Sequence, residues 1–172
     1  MIFKAFKEKS NQKYVNKLLS ARQAVVDSRK IKSVGVILNT NEFADFEAYR
    51  TFLKSIGIKA NKIKIIAYAE EETSVNYHWD IYFGPKDFGW KGKINNIELN
   101  NFVETEFDAL ISYYKEEILE LNLITAQSKA NFKIGLSNND QRLYDLIIDL
   151  KPNEFALFNS ELKKYLTVLN KL

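Results

Sequence analysis

Cysteine is absent from the 172 residues, histidine occurs once, proline twice and glycine six times. Each shortage excludes something. Without cysteine there is no disulfide framework, zinc ribbon, iron–sulfur cluster or thiol nucleophile. One histidine cannot build a multi-histidine metal centre. The few glycines form no Gly-x-Gly-x-x-Gly fingerprint and no Gly-Lys-Ser/Thr phosphate loop. The turn after the first predicted strand, Asn39-Thr40-Asn41, therefore cannot bring backbone against a pyrophosphate as a dinucleotide site does. No apolar run approaches the roughly 18 residues of a spanning helix, and the basic start lacks the apolar stretch of a signal peptide. No metal or cofactor is expected, and a cytoplasmic location is the natural expectation.

What is present is a foldable mixture, 46% hydrophobic and 27% charged, of a length that supplies one domain. The net charge of +3 is unevenly placed. Residues 1–30 carry eight lysines and arginines against Glu8 and Asp27, a net +6 that leaves −3 for the rest. The chain thus divides into a basic helical segment, 1–30, and a slightly acidic body, 31–172.

Residues 2–27 read as an amphipathic helix, with Phe3, Phe6, Tyr14, Leu18, Ala21 and Val25 at three-to-four spacing. Ser33–Leu38 is a short continuous apolar run typical of a buried central strand. Asn39 then reads as a helix cap answered by Glu42; Phe46, Tyr49, Leu53 and Ile56 form the helix stripe, and Gly57 ends it. Lys62–Ala69 completes a βαβ unit. A third short strand is read in 77–83, a helix in 97–106, a strand in 108–113, a helix in 118–130, strands in 131–136 and 143–150, and a last helix through 155–169 with Pro152 in its first turn. The alternation predicts an α/β, Rossmann-like three-layer sandwich with a mostly parallel sheet of five to six strands, preceded by the N-terminal helix.

Chemistry-bearing residues are few. Asp87-Phe88-Gly89 matches the kinase metal-binding triplet, but no glycine-rich loop or His-Arg-Asp loop accompanies it, and a turn around a buried Phe88 is the simpler account. His78 is the only neutral-pH general base, with Asp80 on the same strand face, yet no nucleophile can be tied to the pair. The run Glu70, Glu71, Glu72 reads as a solvated loop. Asp145 and Asp149 share a strand parity, and Asp149 stands nearer the C-terminal strand edge where α/β ligands bind. Tyr77, Trp79, Phe83, Phe88 and Trp90 gather around Gly84-Pro85, as a docking surface or as a minor core.

Three segments together, the basic first helix, Asp80–Gly92, and Phe107–Ser112 with Ala126–Gly135, resemble an uncharacterised family of small α/β proteins from the Bacteroidetes, a domain of unknown function. That resemblance implies the same fold and a bacterial cytoplasmic setting, and it carries no catalytic residues. Residues 107–135 alone are also similar to the acceptor-side half of heptosyltransferase-like glycosyltransferases. Such kinship would imply a binding half rather than a transferase.

The expectation is a non-enzymatic binding or interaction module. Its basic N-terminal helix docks to a protein partner or an anionic surface, with Lys4, Lys7, Lys9, Lys13, Trp79 and Trp90 as contacts. Nucleic acid is a less favoured partner, since no arginine-rich or aromatic-interleaved pattern accompanies the lysines. The alternative is a small-molecule site or enzyme at the C-terminal sheet edge, walled by Asn39, Asn41, His78, Ser112, Lys115 and Asp149. Whether the first helix packs on the body or stands away from it is not decided by the sequence.

Overall fold

The computed structural model describes residues 1–24, 26–71 and 81–172. Within them run α1 (Ile2–Ala21), β1 (Val34–Asn39), α2 (Phe46–Ser55), β2 (Ile63–Tyr68), β3 (Ile81–Phe83), α3 (Ile97–Glu104), β4 (Ala109–Tyr113), α4 (Leu119–Gln127), β5 (Phe132–Gly135), β6 (Leu146–Ile147) and α5 (Phe155–Val168). The strands pair in parallel, in the order β3-β2-β1-β4-β5-β6. This is the doubly wound order of a Rossmann-like sheet.

The apolar run of β1 explains its central place, because all six of its residues are buried, as only a strand covered on both faces requires. Its pleat sends Val36 and Leu38 to a layer with α2 and α5, where Tyr49, Leu53, Phe158 and Leu162 meet Ile111 and Ile134. Ile37 points the other way, into a layer built by α1, α3 and α4 through Val15, Leu19, Leu99, Phe102, Leu121 and Ile124. The three-layer α/β expectation therefore holds, with every pairing between these strands parallel. The first helix belongs to the second layer and does not stand away from the body.

Several boundaries differ from the sequence reading. α1 stops at Ala21, because Arg22 turns to extended geometry and its guanidinium reaches the Asp145 carboxylate at 2.7 Å. Its packing side is Asn11, Val15 and Leu19, and Phe3 and Phe6 fall outside it. α2 is capped by Asp45, whose carboxylate accepts from the Ala48 amide at 2.9 Å. Asn39, read as that cap, is instead the last residue of β1, held in register opposite Tyr68. Gly57 does end the helix, at φ 98°. There the Gly57 and Ile58 amides donate to Lys54 and Leu53 carbonyls, both at 3.0 Å, a left-handed closure that suits glycine. β6 shrinks to two residues, and Pro152 lies ahead of α5, whose cap is Glu154. The Pro152 carbonyl is engaged by the Tyr113 hydroxyl at 2.8 Å.

Candidate functional site

The strand order reverses between β1 and β4, and in open α/β sheets the crevice beyond the C-terminal ends of such a pair takes the ligand. Here that crevice is filled from within. The Glu42 carboxylate accepts from the Lys115 amide at 3.0 and 3.1 Å, the Glu116 amide at 3.0 Å and the Asn39 side-chain amide at 3.0 Å. Adjacent backbone amides of this kind are an anion-binding arrangement, and the anion they hold is the chain's own. Asn39 Nδ2 also donates to Glu116 at 3.0 Å, and Asn39 Oδ1 accepts from the Asn41 amide at 3.2 Å. The Lys115 ammonium pairs with Asp149 and donates to the Leu150 carbonyl at 3.1 Å, while Asn138 donates to Asp149 at 2.8 Å. Beside this network, Tyr114, Asn122, Ser137 and Tyr144 line a cavity of about 10 Å³, room for one water.

Of the residues expected at this edge, Asn39, Lys115 and Asp149 belong to one network, which Asn41 joins only through its backbone amide. Ser112 does not reach the surface: it is fully buried on the α4 side, its hydroxyl 2.9 Å from that of Thr125. The hydroxyl chain continues from Thr125 to Tyr114 at 2.8 Å and on to Asn122 at 3.1 Å. Burial pushes the Tyr114 phenol up to about 12, so it works as a neutral donor. His78, Asp80, Trp79, Tyr77 and Glu72 lie outside the described residues. Sequence reasoning misses Glu42 as a member of this edge, because an Asn followed three residues later by Glu reads equally as a capping box, and Glu116, because its meeting with Asn39 depends on β1 and β4 being neighbours. Asp145 and Asp149 prove to serve opposite ends of the sheet. Asp145 accepts from the Lys133 amide at 2.8 Å near the start of β5, whereas Asp149 meets Lys115 beyond the end of β4. No group of three acidic or histidine side chains among the described residues is placed to hold a metal ion.

The Asp87-Phe88-Gly89 triplet is a turn. Asp87 accepts from the Gly84 amide at 2.8 Å and the Asn96 side chain at 3.1 Å, and Phe88 is buried. Phe88 packs on Phe83 with ring centroids 6.2 Å apart, so this part of the aromatic group is core. Trp90 is different and remains 50% exposed.

The second candidate surface is the outer side of α1. Its inner side is bound to the body: Lys7 donates to the Phe88 carbonyl at 3.1 Å, and Asn11 bridges Gly89 and Gly92. At about 100° per residue, Ile2, Phe3 and Phe6 fall on the side opposite Asn11 and Val15. They are 72%, 80% and 58% exposed. Lys9, Lys13 and Lys17 continue down the same outward side, all exposed and without an ion pair among the described residues. Lys4 stands 3.9 Å from Glu8, an exposed pair of small energetic weight. So of the four lysines expected as contacts, Lys9 and Lys13 face outward, Lys7 serves the fold and Lys4 stands beside Glu8; Lys17, not among the four, joins the outward side. No helix of the described residues is long and apolar enough to cross a membrane.

The likeness to glycosyltransferase halves expected of residues 107–135 is not shown. Comparison with curated proteins and with solved structures finds no match. Residues 7–169, nearly the whole chain, match a family model, and the chain accordingly belongs to the Family of unknown function (DUF6913).

Proposed function

We propose that this protein is a non-enzymatic attachment module whose α/β body is held at an anionic membrane surface by the outer side of α1. The observation that carries the reading is the two-sidedness of that helix. One side is hydrogen-bonded and packed into the body, while Ile2, Phe3 and Phe6 stand bare on the other, with Lys9, Lys13 and Lys17 beyond them. Short apolar wedges enter the headgroup boundary, and lysines beside them meet lipid phosphates at about 1 kcal/mol each. Neither signal alone anchors firmly; together they suit peripheral, reversible attachment. A negatively charged cytoplasmic leaflet is the surface this chemistry fits, in keeping with the cytoplasmic expectation.

The same lysines would meet the phosphates of nucleic acid, but three bare apolar side chains have no role there. A small-molecule site at the sheet edge has in its favour the convergence of Asn39, Lys115 and Asp149. Against it stands Glu42, which already occupies the amides that a ligand anion would use.

Co-sedimentation with vesicles tests the reading. The full chain should sediment with phosphatidylserine-containing vesicles and not with phosphatidylcholine alone. Replacing Lys9, Lys13 and Lys17 together by Gln should weaken binding about 100-fold, and Phe3→Ser with Phe6→Ser should release the protein, all with an unchanged melting temperature. A full chain that stays in the supernatant with both vesicles overturns the reading, and retention by duplex DNA instead would put the lysines on nucleic acid.

A further inference from the structure

Trp90 has no evident reason to be half-bare, because the segment around it is tightly held. The short turn Trp90–Gly92 lies against α1, where Asn11, 3% exposed, accepts from the Gly92 amide at 2.9 Å and donates to the Gly89 carbonyl at 3.0 Å. Gln127 of α4 donates to the Gly92 carbonyl at 3.0 Å, and the Gly89 amide donates to the Lys93 carbonyl at 2.7 Å. Gly92 sits at φ 72°, and a Cβ there would lie 2.3 Å from the Tyr14 ring. Only glycine satisfies both constraints, so the turn is moulded onto α1. The backbone on both sides of Trp90 is therefore fixed to the helix that carries Phe3 and Phe6.

A buried asparagine committed to both ends of a four-residue stretch is a costly way to present one exposed indole, unless the indole's position matters. Indole has an apolar ring and a polar N–H, the combination enriched at membrane–water interfaces. Lys91 and Lys93, both exposed, flank it with charge complementary to anionic lipid.

We infer that Trp90 is a second lipid contact, carried by the turn that Asn11 fastens to the middle of α1, and that Asn11 is the positioning residue that holds it there. The inference rests on the proposed attachment of α1 to an anionic bilayer. The two contacts together make a broad footing, which fixes the orientation of the α/β body over the bilayer.

Fluorescence separates this inference from the reading beneath it. The chain has two tryptophans, so Trp79→Phe leaves Trp90 as the only indole. In phosphatidylserine vesicles containing brominated phosphatidylcholine, its emission should shift to the blue and be quenched. Trp90→Phe, the complementary variant, should lose that quenching and sediment several-fold more weakly. Asn11→Ala should reduce the quenching of Trp90 while sedimentation through α1 persists, a split that a purely structural role for Asn11 would not produce. Sedimentation with Trp90 emission unshifted and unquenched overturns the inference and leaves the attachment of α1 standing. Absence of sedimentation overturns both.

Discussion

Lys133 and Tyr49 are single residues whose burial has measurable consequences. Lys133 is 4% exposed, and its ammonium donates to the Thr125 and Ala126 carbonyls at 2.7 and 3.4 Å, closing the last turn of α4. Burial first, then the nearby Arg22 charge, lowers its pKa to about 8, with Asp145 acting in the opposite direction. In the unfolded chain a lysine titrates near 10.4. Between those values the unfolded chain binds more protons, so this site adds stability as pH rises. The stability difference between the natural chain and Lys133→Met should accordingly move in favour of the natural chain by on the order of 1–2 kcal/mol from pH 7 to pH 9.5. Urea melts at the two pH values check this, and an unchanged difference would mean that the amine titrates normally. Tyr49 is fully buried among Phe43, Tyr113 and Phe155, at ring-centroid distances of 5.6, 5.3 and 4.9 Å. Its hydroxyl has no hydrogen-bond partner among the described residues. Removing an unsatisfied buried hydroxyl relieves about 1 kcal/mol. Tyr49→Phe should thus raise the melting temperature by about 3 °C, and a lowered one would reveal a partner for the hydroxyl.

At the scale of elements, one carboxylate joins the connections that follow β1 and β4. Glu42 comes from the first and takes its amides from the second. Glu42→Ala should therefore lower stability by about 2 kcal/mol and speed hydrogen exchange at the Lys115 and Glu116 amides, with Glu42→Gln in between. Unaltered exchange at both amides would show that the contact does not hold the two connections together. This junction was only partly legible in the sequence. Asn39, Lys115 and Asp149 were found because they stand at or beyond strand ends, a one-dimensional property. Glu42 and Glu116 were not, since their meeting depends on β1 and β4 being neighbours, and pairing is a long-range event. The helix cap was misplaced for the same reason. Asn39 and Asp45 are both good capping residues, and the parallel pairing with β2 drew Asn39 into the strand and left the cap to Asp45.

For the molecule as a whole, the segregated charge acquires a geometry. The basic segment is a full member of the second helical layer, and its lysines are sorted by the docking. Lys7 turns inward to Phe88, while Lys9, Lys13 and Lys17 turn outward. Attachment by those lysines is screened as the Debye length falls from about 10 Å at 0.1 M salt to about 3 Å at 1 M. Sedimentation of the full chain with anionic vesicles should decline steeply across that range. The apolar contribution of Ile2, Phe3 and Phe6 is insensitive to screening, so a residual bound fraction should remain.

The contrast between β1 and α1 shows where sequence stops and tertiary structure begins. The apolar run of β1, the stripe Phe46, Tyr49 and Leu53 of α2, and the ending at Gly57 are local signals. Periodicity and backbone conformation act within a few residues, so they determined the element types and the α/β class by themselves. The absence of cysteine and of a glycine-rich phosphate loop likewise removed whole chemistries without reference to any fold. The docking of α1 was not in its periodicity. Apolar residues occupy two of its sides, and only the surfaces of α4 and the 88–92 turn determine which side is covered. Strand order, the closing of the crevice by Glu42 and the outward face of Ile2, Phe3 and Phe6 were likewise decided by tertiary structure, because each depends on which distant segments become neighbours.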